Sequence, residues 1–262
     1  MALSSAVLRE LKEILGPGAV VSTLEGRMVY EADMHTFYKG APDVVVLPET
    51  TAQVVELVRL CRREHVALVP RGSGTGLIGG AMAPVGGVMV SLTRMNRILE
   101  LDFANRCATV QPGLINLWLS QATRDAGYYF APDPSSQMVS SIGGNASTNA
   151  GGPHCLKYGI TVNHVLGLEV VTGAGEILSV GGKAHDHPGY DLTGALVGGE
   201  GTLGLLTAIT VRLLHEPAGV RTLLASFSAI DDASEAVSAI VAAGIIPAAL
   251  EMIDETFVRA IN

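Results

Sequence analysis

Apolar residues recur along this chain with two periods, and the changes between them mark out its elements. An N-terminal helix over about Ser5 to Leu15 is stopped by Gly16-Pro17-Gly18, after which Asp43 to Pro48 reads as a buried strand. Thr50 with Gln53 three residues later is a capping-box signature, and Val54, Leu57, Val58 and Cys61 then fall on one helical face. Strand, helix Thr51 to His65 and strand Val66 to Val69 make a βαβ unit that delivers the chain into a glycine-rich stretch. Short strands follow near Val88 to Leu92, Ile98 to Asp102 and Ala108 to Gln111, then a helix from about Leu114 to Asp125 with Gly127 past its end. A hairpin runs through Val165 to Thr172, turns at Gly173-Ala174-Gly175 and returns through Ile177 to Val180, and Leu205 to Leu214 is the longest strand candidate. The pattern shifts at Glu216-Pro217-Ala218-Gly219, which reads as a domain boundary. Beyond it lie a strand over Thr222 to Phe227, a helix over Asp232 to Ala243, a strand over Ala248 to Ile253 and the start of a helix near Asp254. That unit has too few elements to enclose a core, and the chain reads as the front part of something longer.

Composition narrows the partners. With 262 residues, 48% of them hydrophobic, the chain can bury a sizeable core and is not disordered. A formal charge of −8, with no basic cluster longer than Arg62-Arg63, argues against a nucleic-acid or anionic-membrane surface and for a small molecule. Three cysteines without C-x-x-C spacing, and an N-terminus without signal-peptide character, favour a reducing, cytoplasmic setting. The most apolar window, Ala236 to Leu250, is too short to span a bilayer, which leaves peripheral attachment to the inner face of a membrane through partners open.

The chemistry gathers in glycine-rich segments. In Pro70-Arg71-Gly72-Ser73-Gly74-Thr75-Gly76-Leu77-Ile78-Gly79-Gly80, closely spaced glycines let backbone N–H groups close around phosphate oxygens. Gly74-x-Gly76-x-x-Gly79 satisfies the dinucleotide fingerprint of Rossmann folds, but that fingerprint must open a helix. Gly80, Pro84, Gly86 and Gly87 forbid one here, so the phosphates would be held in a loop between strands. Two further loops, near 132–152 and 199–204, combine glycine with neutral Ser, Thr and Asn donors. Such a set suits a long ligand with two phosphates and a polar ring, a description that a flavin dinucleotide meets.

Together these loops resemble the flavin-binding domain of the vanillyl-alcohol oxidase, or PCMH-type FAD-binding, family over about Tyr30 to Glu216. The branch containing the glycolate oxidase flavin subunit, D-lactate dehydrogenases and D-2-hydroxyglutarate dehydrogenases is the most similar. The resemblance is carried by Pro132-Asp133-Pro134-Ser135-Ser136, Ile142-Gly143-Gly144-Asn145, and Gly151-Gly152-x-His154-Cys155-Leu156-Lys157-Tyr158-Gly159. Asn163 to Glu169, Pro188 to Gly194 and Gly199-Glu200-Gly201-Thr202-Leu203-Gly204 add to it. It implies an α+β fold: an N-terminal helical segment (1–29), a PCMH-type FAD-binding domain of two α/β subdomains (30–217), and the incomplete start of an α+β substrate, or cap, domain (218–262).

By the same resemblance, Arg71, Gly72, Ser73, Gly74 and Thr75 with Gly79 and Gly80 would wrap the FAD diphosphate. Pro134, Ser141, Gly144, Asn145 and Gly151 would line the flavin, Glu200 lies in a loop that would touch it, and Ile209 would contact the adenine end. Some members of the wider family attach FAD through a histidine of an Arg-x-Gly-Gly-His segment. The matching segment here is Arg71-Gly72-Ser73-Gly74-Thr75, and threonine cannot form that link, so non-covalent FAD is expected.

In the resembled enzymes a 2-hydroxy acid gives a hydride to flavin N5 while a base takes the hydroxyl proton, and most groups serving the substrate lie in the C-terminal domain. Catalytic residues are therefore unassigned. His154 is the one base candidate among the flavin loops and reads more readily as structural. His185-x-His187 invites a metal reading, but Pro188-Gly189 implies a loop and no cysteine completes a site, so no metal is expected. Cys155 reads as a small packed thiol. The resemblance implies the FAD-binding part of a flavin-dependent 2-hydroxyacid dehydrogenase that passes electrons to an acceptor or partner subunit. The alternative is a non-catalytic flavin-binding or electron-transfer subunit whose partner supplies the substrate pocket.

Overall fold

Three consecutive valines, Val44 to Val46, have no accessible surface, as a strand covered on both faces requires, and the first layer of the molecule is built around them. The computed structural model describes residues 3–35, 37–184 and 188–261. It begins with helix α1 (Ser5–Leu15), strand β1 (Val20–Val21) and helix α2 (Leu24–Met28). Strand β2 (Val44–Val46), helix α3 (Thr51–Arg63) and strands β3 (Leu68–Arg71) and β4 (Val88–Ser91) follow. The sheet order is β1-β2-β4-β3, with β4 parallel to both β2 and β3. The expected βαβ unit forms, but its two strands are not neighbours, because β4 lies between them. The glycine-rich stretch is the connection from β3 to β4. Helix α3 starts where its capping box dictates, with Thr50 Oγ1 accepting the Gln53 N–H at 3.2 Å and Gln53 Oε1 accepting the Thr50 N–H at 3.3 Å.

The second layer is an antiparallel sheet. Strands β5 (Ile98–Asp102) and β6 (Cys107–Val110), helix α4 (Asn116–Thr123), strand β7 (Tyr128–Tyr129), and helices α5 (Ile142–Thr148) and α6 (Cys155–Tyr158) lead into it. Strands β8 (Val165–Val171) and β9 (Ile177–Gly181), helix α7 (Leu192–Leu196), and strands β10 (Leu205–Arg212) and β11 (Leu214–His215) complete it. Its order is β5-β6-β10-β8-β9, and β11 pairs with β7. Val171 of β8 and Leu205 of β10 join the core beneath α3, which ties the two layers together. Glu169 Oε1 reinforces the joint by accepting hydrogen bonds from Thr51 Oγ1 at 2.9 Å and Thr207 Oγ1 at 2.8 Å.

Two expectations are corrected. The glycine and serine content of 141–152 predicts a loop, yet residues 142–148 form α5. Ser141 Oγ caps it by accepting the Gly144 N–H at 3.2 Å, Gly143 N–H bonds the Pro112 carbonyl at 2.7 Å, and Ile142 and Ala146 are fully buried. Capping and burial on one face outweigh glycine's weak helix propensity. Beyond residue 217 the helices α8 (Ile230–Ala242) and α9 (Glu255–Ile261) form, but the strands expected at 222–227 and 248–253 do not. A strand needs a partner ladder, and among the described residues neither run has one. Leu223 and Leu224 are 94% and 97% exposed.

Candidate functional site

Strand β3 ends at Arg71, and the chain beyond it opens over the N-terminal end of α5. A cleft of about 640 Å³ lies between them, beyond the carboxyl end of a parallel strand, where α/β sheets characteristically hold ligands. Close approach builds its wall. A Cβ on Gly72 would stand 2.7 Å from Ser141 Oγ, so the loop packs on the α5 cap only because residue 72 has no side chain. Gly74 has φ +74°, and a side chain there would collide with the Arg71 guanidinium.

The described wall unites most of the residues singled out from the sequence. Arg71, Gly72, Ser73, Gly74, Thr75, Gly80, Ser141, Gly144, Asn145 and Glu200 all line the cleft. Gly79, Pro134, Gly151 and Ile209 do not. Gly79 turns its N–H away to Asp33, Pro134 and Gly151 lie beside the lining residues Ser135 and Ala150, and Ile209 is wholly buried on β10.

Two features show what the wall can hold. Among the described residues, the backbone amides from Ser73 through Ile78 have no hydrogen-bond acceptor within the protein. A run of unpartnered N–H groups around a concave loop suits a diphosphate. Asn145, only 3% exposed, has a buried Nδ2 with no partner. A buried donor left open is costly unless a ligand accepts from it, and a ring carbonyl would do so. The donor set therefore fits a diphosphate joined to a polar ring. Neither histidine nor cysteine stands among the described lining residues.

Arg71 plays a different part from a surface cation. It is 8% exposed, and its Nη1 and Nη2 donate to the carbonyls of Ala81 at 2.9 Å and Ala32 at 3.0 Å. Its guanidinium lies 5.5 Å from the centre of the Tyr30 ring. Burial pulls its pKa down, and the charge of Asp33 works against that shift. Asp33 is a wall residue that sequence reasoning missed, because a lone aspartate in Tyr30 to His35 carries no local signal. Leu77, Ile78, Ser135 and Ser136 also join the wall.

The remaining candidates lie elsewhere. His154 Nδ1 is 2.5 Å from Asp133 Oδ2 and its ring is not part of the lining. Cys155 Sγ accepts the Gly152 N–H at 2.9 Å. His185 and His187 lie outside the described residues, and no group of three metal-ligating side chains occurs among the described ones. No helix of the described residues is long and apolar enough to cross a membrane.

Comparison with known proteins agrees with this geometry. A family model for an FAD binding domain matches residues 42–181, more than half of the chain, and one for the C-terminal domain of FAD linked oxidases matches residues 216–262. The chain is 46% identical over 256 residues to the glycolate oxidase subunit GlcD of Escherichia coli, covering 98% of this chain and 51% of that protein. It is 39% identical over 220 residues to a D-2-hydroxyglutarate dehydrogenase of Stutzerimonas stutzeri, covering 84% of this chain and 47% of that one. A solved structure of alkyldihydroxyacetonephosphate synthase superposes with a TM-score of 0.80 at 25% identity, over 94% of this chain and 51% of that one. The chain thus spans about half the length of the curated relatives it matches.

Proposed function

Because the chain belongs to the PCMH-type FAD-linked oxidase family, we propose that it is the FAD-binding portion of a flavin-dependent 2-hydroxyacid dehydrogenase of the glycolate- or D-lactate-oxidising type. The observation that carries this reading is the cleft itself, lined both by Ser73 to Ile78, whose backbone amides have no partner in the protein, and by Asn145, whose buried Nδ2 is also unpartnered. Bound FAD supplies the hydride acceptor, at flavin N5, for the hydrogen on C2 of the hydroxy acid.

The chain's own residues bind and orient. The loop amides meet the diphosphate charge without bringing in a mobile cation, and Arg71 behind them supports the loop from within the protein. Asn145 offers a neutral hydrogen bond to a flavin carbonyl, which is one way a protein tunes flavin redox chemistry. Ser141 stays committed to the α5 cap and keeps the Gly143–Gly144 turn in register with the loop. With Thr75 on the wall and no histidine or cysteine beside it among the described residues, the cofactor is held non-covalently. The relatives whose names describe 2-hydroxyacid oxidation support the substrate class. A word in one of those names, subunit, supports a role beside partner chains.

The visible spectrum of the purified chain, before and after acid precipitation, tests the reading. The expected result is flavin bands that move into the supernatant on precipitation. A chain that stays colourless with added FAD would overturn it.

A further inference from the structure

The segment from Tyr30 to His35 lies N-terminal to the residues matched by the FAD-binding model, which start at 42, yet it is fastened to the glycine loop from below. Asp33 Oδ2 accepts the Gly79 N–H at 2.9 Å, while its Oδ1 accepts the His35 N–H at 2.7 Å and so fixes the carboxylate's orientation. Met34 N–H donates to the Gly76 carbonyl at 3.1 Å. Arg71 joins the same segment to the loop's far end by bonding Ala32 and Ala81. Asp33 is 8% exposed and stands on the cleft wall.

A carboxylate on the wall of a diphosphate cradle is at first sight misplaced, since like charges repel. Its geometry resolves the conflict. Gly79, at φ +78°, closes the turn of the loop, and Asp33 is the acceptor that holds its amide. With the Gly79 N–H bonded to Asp33 and the Gly76 carbonyl bonded to Met34, the intervening Leu77 and Ile78 are held at both ends, in a loop whose residues Ser73 to Ile78 line the cleft.

We propose that Asp33 is a positioning residue for the cofactor: it presets the glycine loop in its diphosphate-binding shape, and the 30–35 segment is part of the FAD site. The inference rests on the FAD reading above. A charge-assisted hydrogen bond of this kind, lost with its loop order, corresponds to a tenfold to hundredfold loss of affinity, in order of magnitude.

The test is to titrate FAD, and separately riboflavin, which has the same ring and no phosphate, into the apo forms of the wild type, Asp33→Ala and Asp33→Asn, following flavin fluorescence. Asp33→Ala should weaken FAD by at least about tenfold and leave riboflavin within about twofold. Asp33→Asn, which keeps a single acceptor oxygen, should fall between. Hydrogen exchange on the apo proteins adds an independent reading, with the peptide covering 72–82 exchanging faster in both variants and the α5 peptide unchanged. Tighter FAD binding by Asp33→Asn would mean that charge repulsion dominates and would overturn the inference. Equal losses for FAD and riboflavin would also overturn it, because the cleft would then have collapsed as a whole. A wild type that fails to bind FAD would defeat the cofactor reading first, and this inference with it.

Discussion

Asp133 grips His154 at two atoms, with Oδ2 2.5 Å from the imidazole Nδ1 and Oδ1 accepting the His154 N–H at 3.3 Å. The carboxylate belongs to the turn that leads into Ser135 and Ser136, and the histidine to the loop that leaves Ala150, so the pair clamps two stretches of the cleft wall together. Gly152 makes the clamp sterically feasible, since a Cβ there would run into the Asp133 carbonyl. Gly152→Ala should therefore destabilise the protein by about 1–3 kcal/mol. Gly173→Ala, where a Cβ meets nothing within 4 Å, should stay within about 0.5 kcal/mol. Urea denaturation of the two variants beside the wild type checks the contrast.

Asn145 offers the opposite case, a group whose removal should matter to ligand and not to fold. Its Nδ2 has no partner in the protein, so Asn145→Ala breaks no native hydrogen bond of that amide. FAD affinity should drop about tenfold, the worth of one buried hydrogen bond, while the denaturation midpoint does not fall in proportion. Fluorescence titration paired with a urea curve measures both.

His164 sets a pH dependence. Burial holds its imidazole below the ordinary value of 6.5, with the charge of Arg212 acting the same way and the hydrogen bond to the Tyr158 carbonyl opposing. The unfolded chain therefore takes up this proton first. The stability that the neutral ring contributes is complete above about pH 6.5 and declines as pH falls from there toward the folded value. The stability difference between wild type and His164→Gln should accordingly shrink between about pH 7.5 and pH 5.5. Urea curves at the two pH values decide it, and a difference that widens on acidification would contradict the assignment.

The thiols should separate by depth. Burial pushes the Cys61 thiol up to about 11 and raises Cys107 as well. Cys155 is half-buried near the surface. A thiol reagent at about pH 8 should modify Cys155 alone in the native protein and all three cysteines after denaturation. Mass spectrometry of the labelled peptides identifies which reacted, and equal labelling of Cys61 in the native state would refute the packing of α3.

What could be read from the sequence, and what could not, follows the range of the forces involved. Helices α1 and α3 and strand β5 are legible because their signals are local: a cap, a stop and a period. The glycine loop is legible because Gly80, Pro84, Gly86 and Gly87 exclude a helix whatever surrounds them. Helix α5 is not, since it forms through the Pro112 carbonyl and the burial of Ile142, both of them contacts distant in sequence. The two strands expected beyond residue 217 fail for the converse reason, as an apolar run has strand character but no ladder of its own. Asp33 escaped notice because its meaning depends on Gly79, far along the chain. The resemblance reached the wall residues from Arg71 to Thr75, but no motif reveals that Arg71 turns its guanidinium to two carbonyls.

The place of β4 between β2 and β3 has a consequence for a chain that emerges from the ribosome N-terminus first. When synthesis has reached Arg71, β3 has no sheet neighbour, because its one partner, Val88 to Ser91, is not yet made. The strand gains its ladder only when the glycine-rich connection has been translated and has doubled back, so the last arrival in this sheet is its interior and not its edge. Completion of the sheet and closure of the glycine-rich connection are then coupled, because the strand that seals the hydrophobic layer is also the one that fixes the far end of that connection.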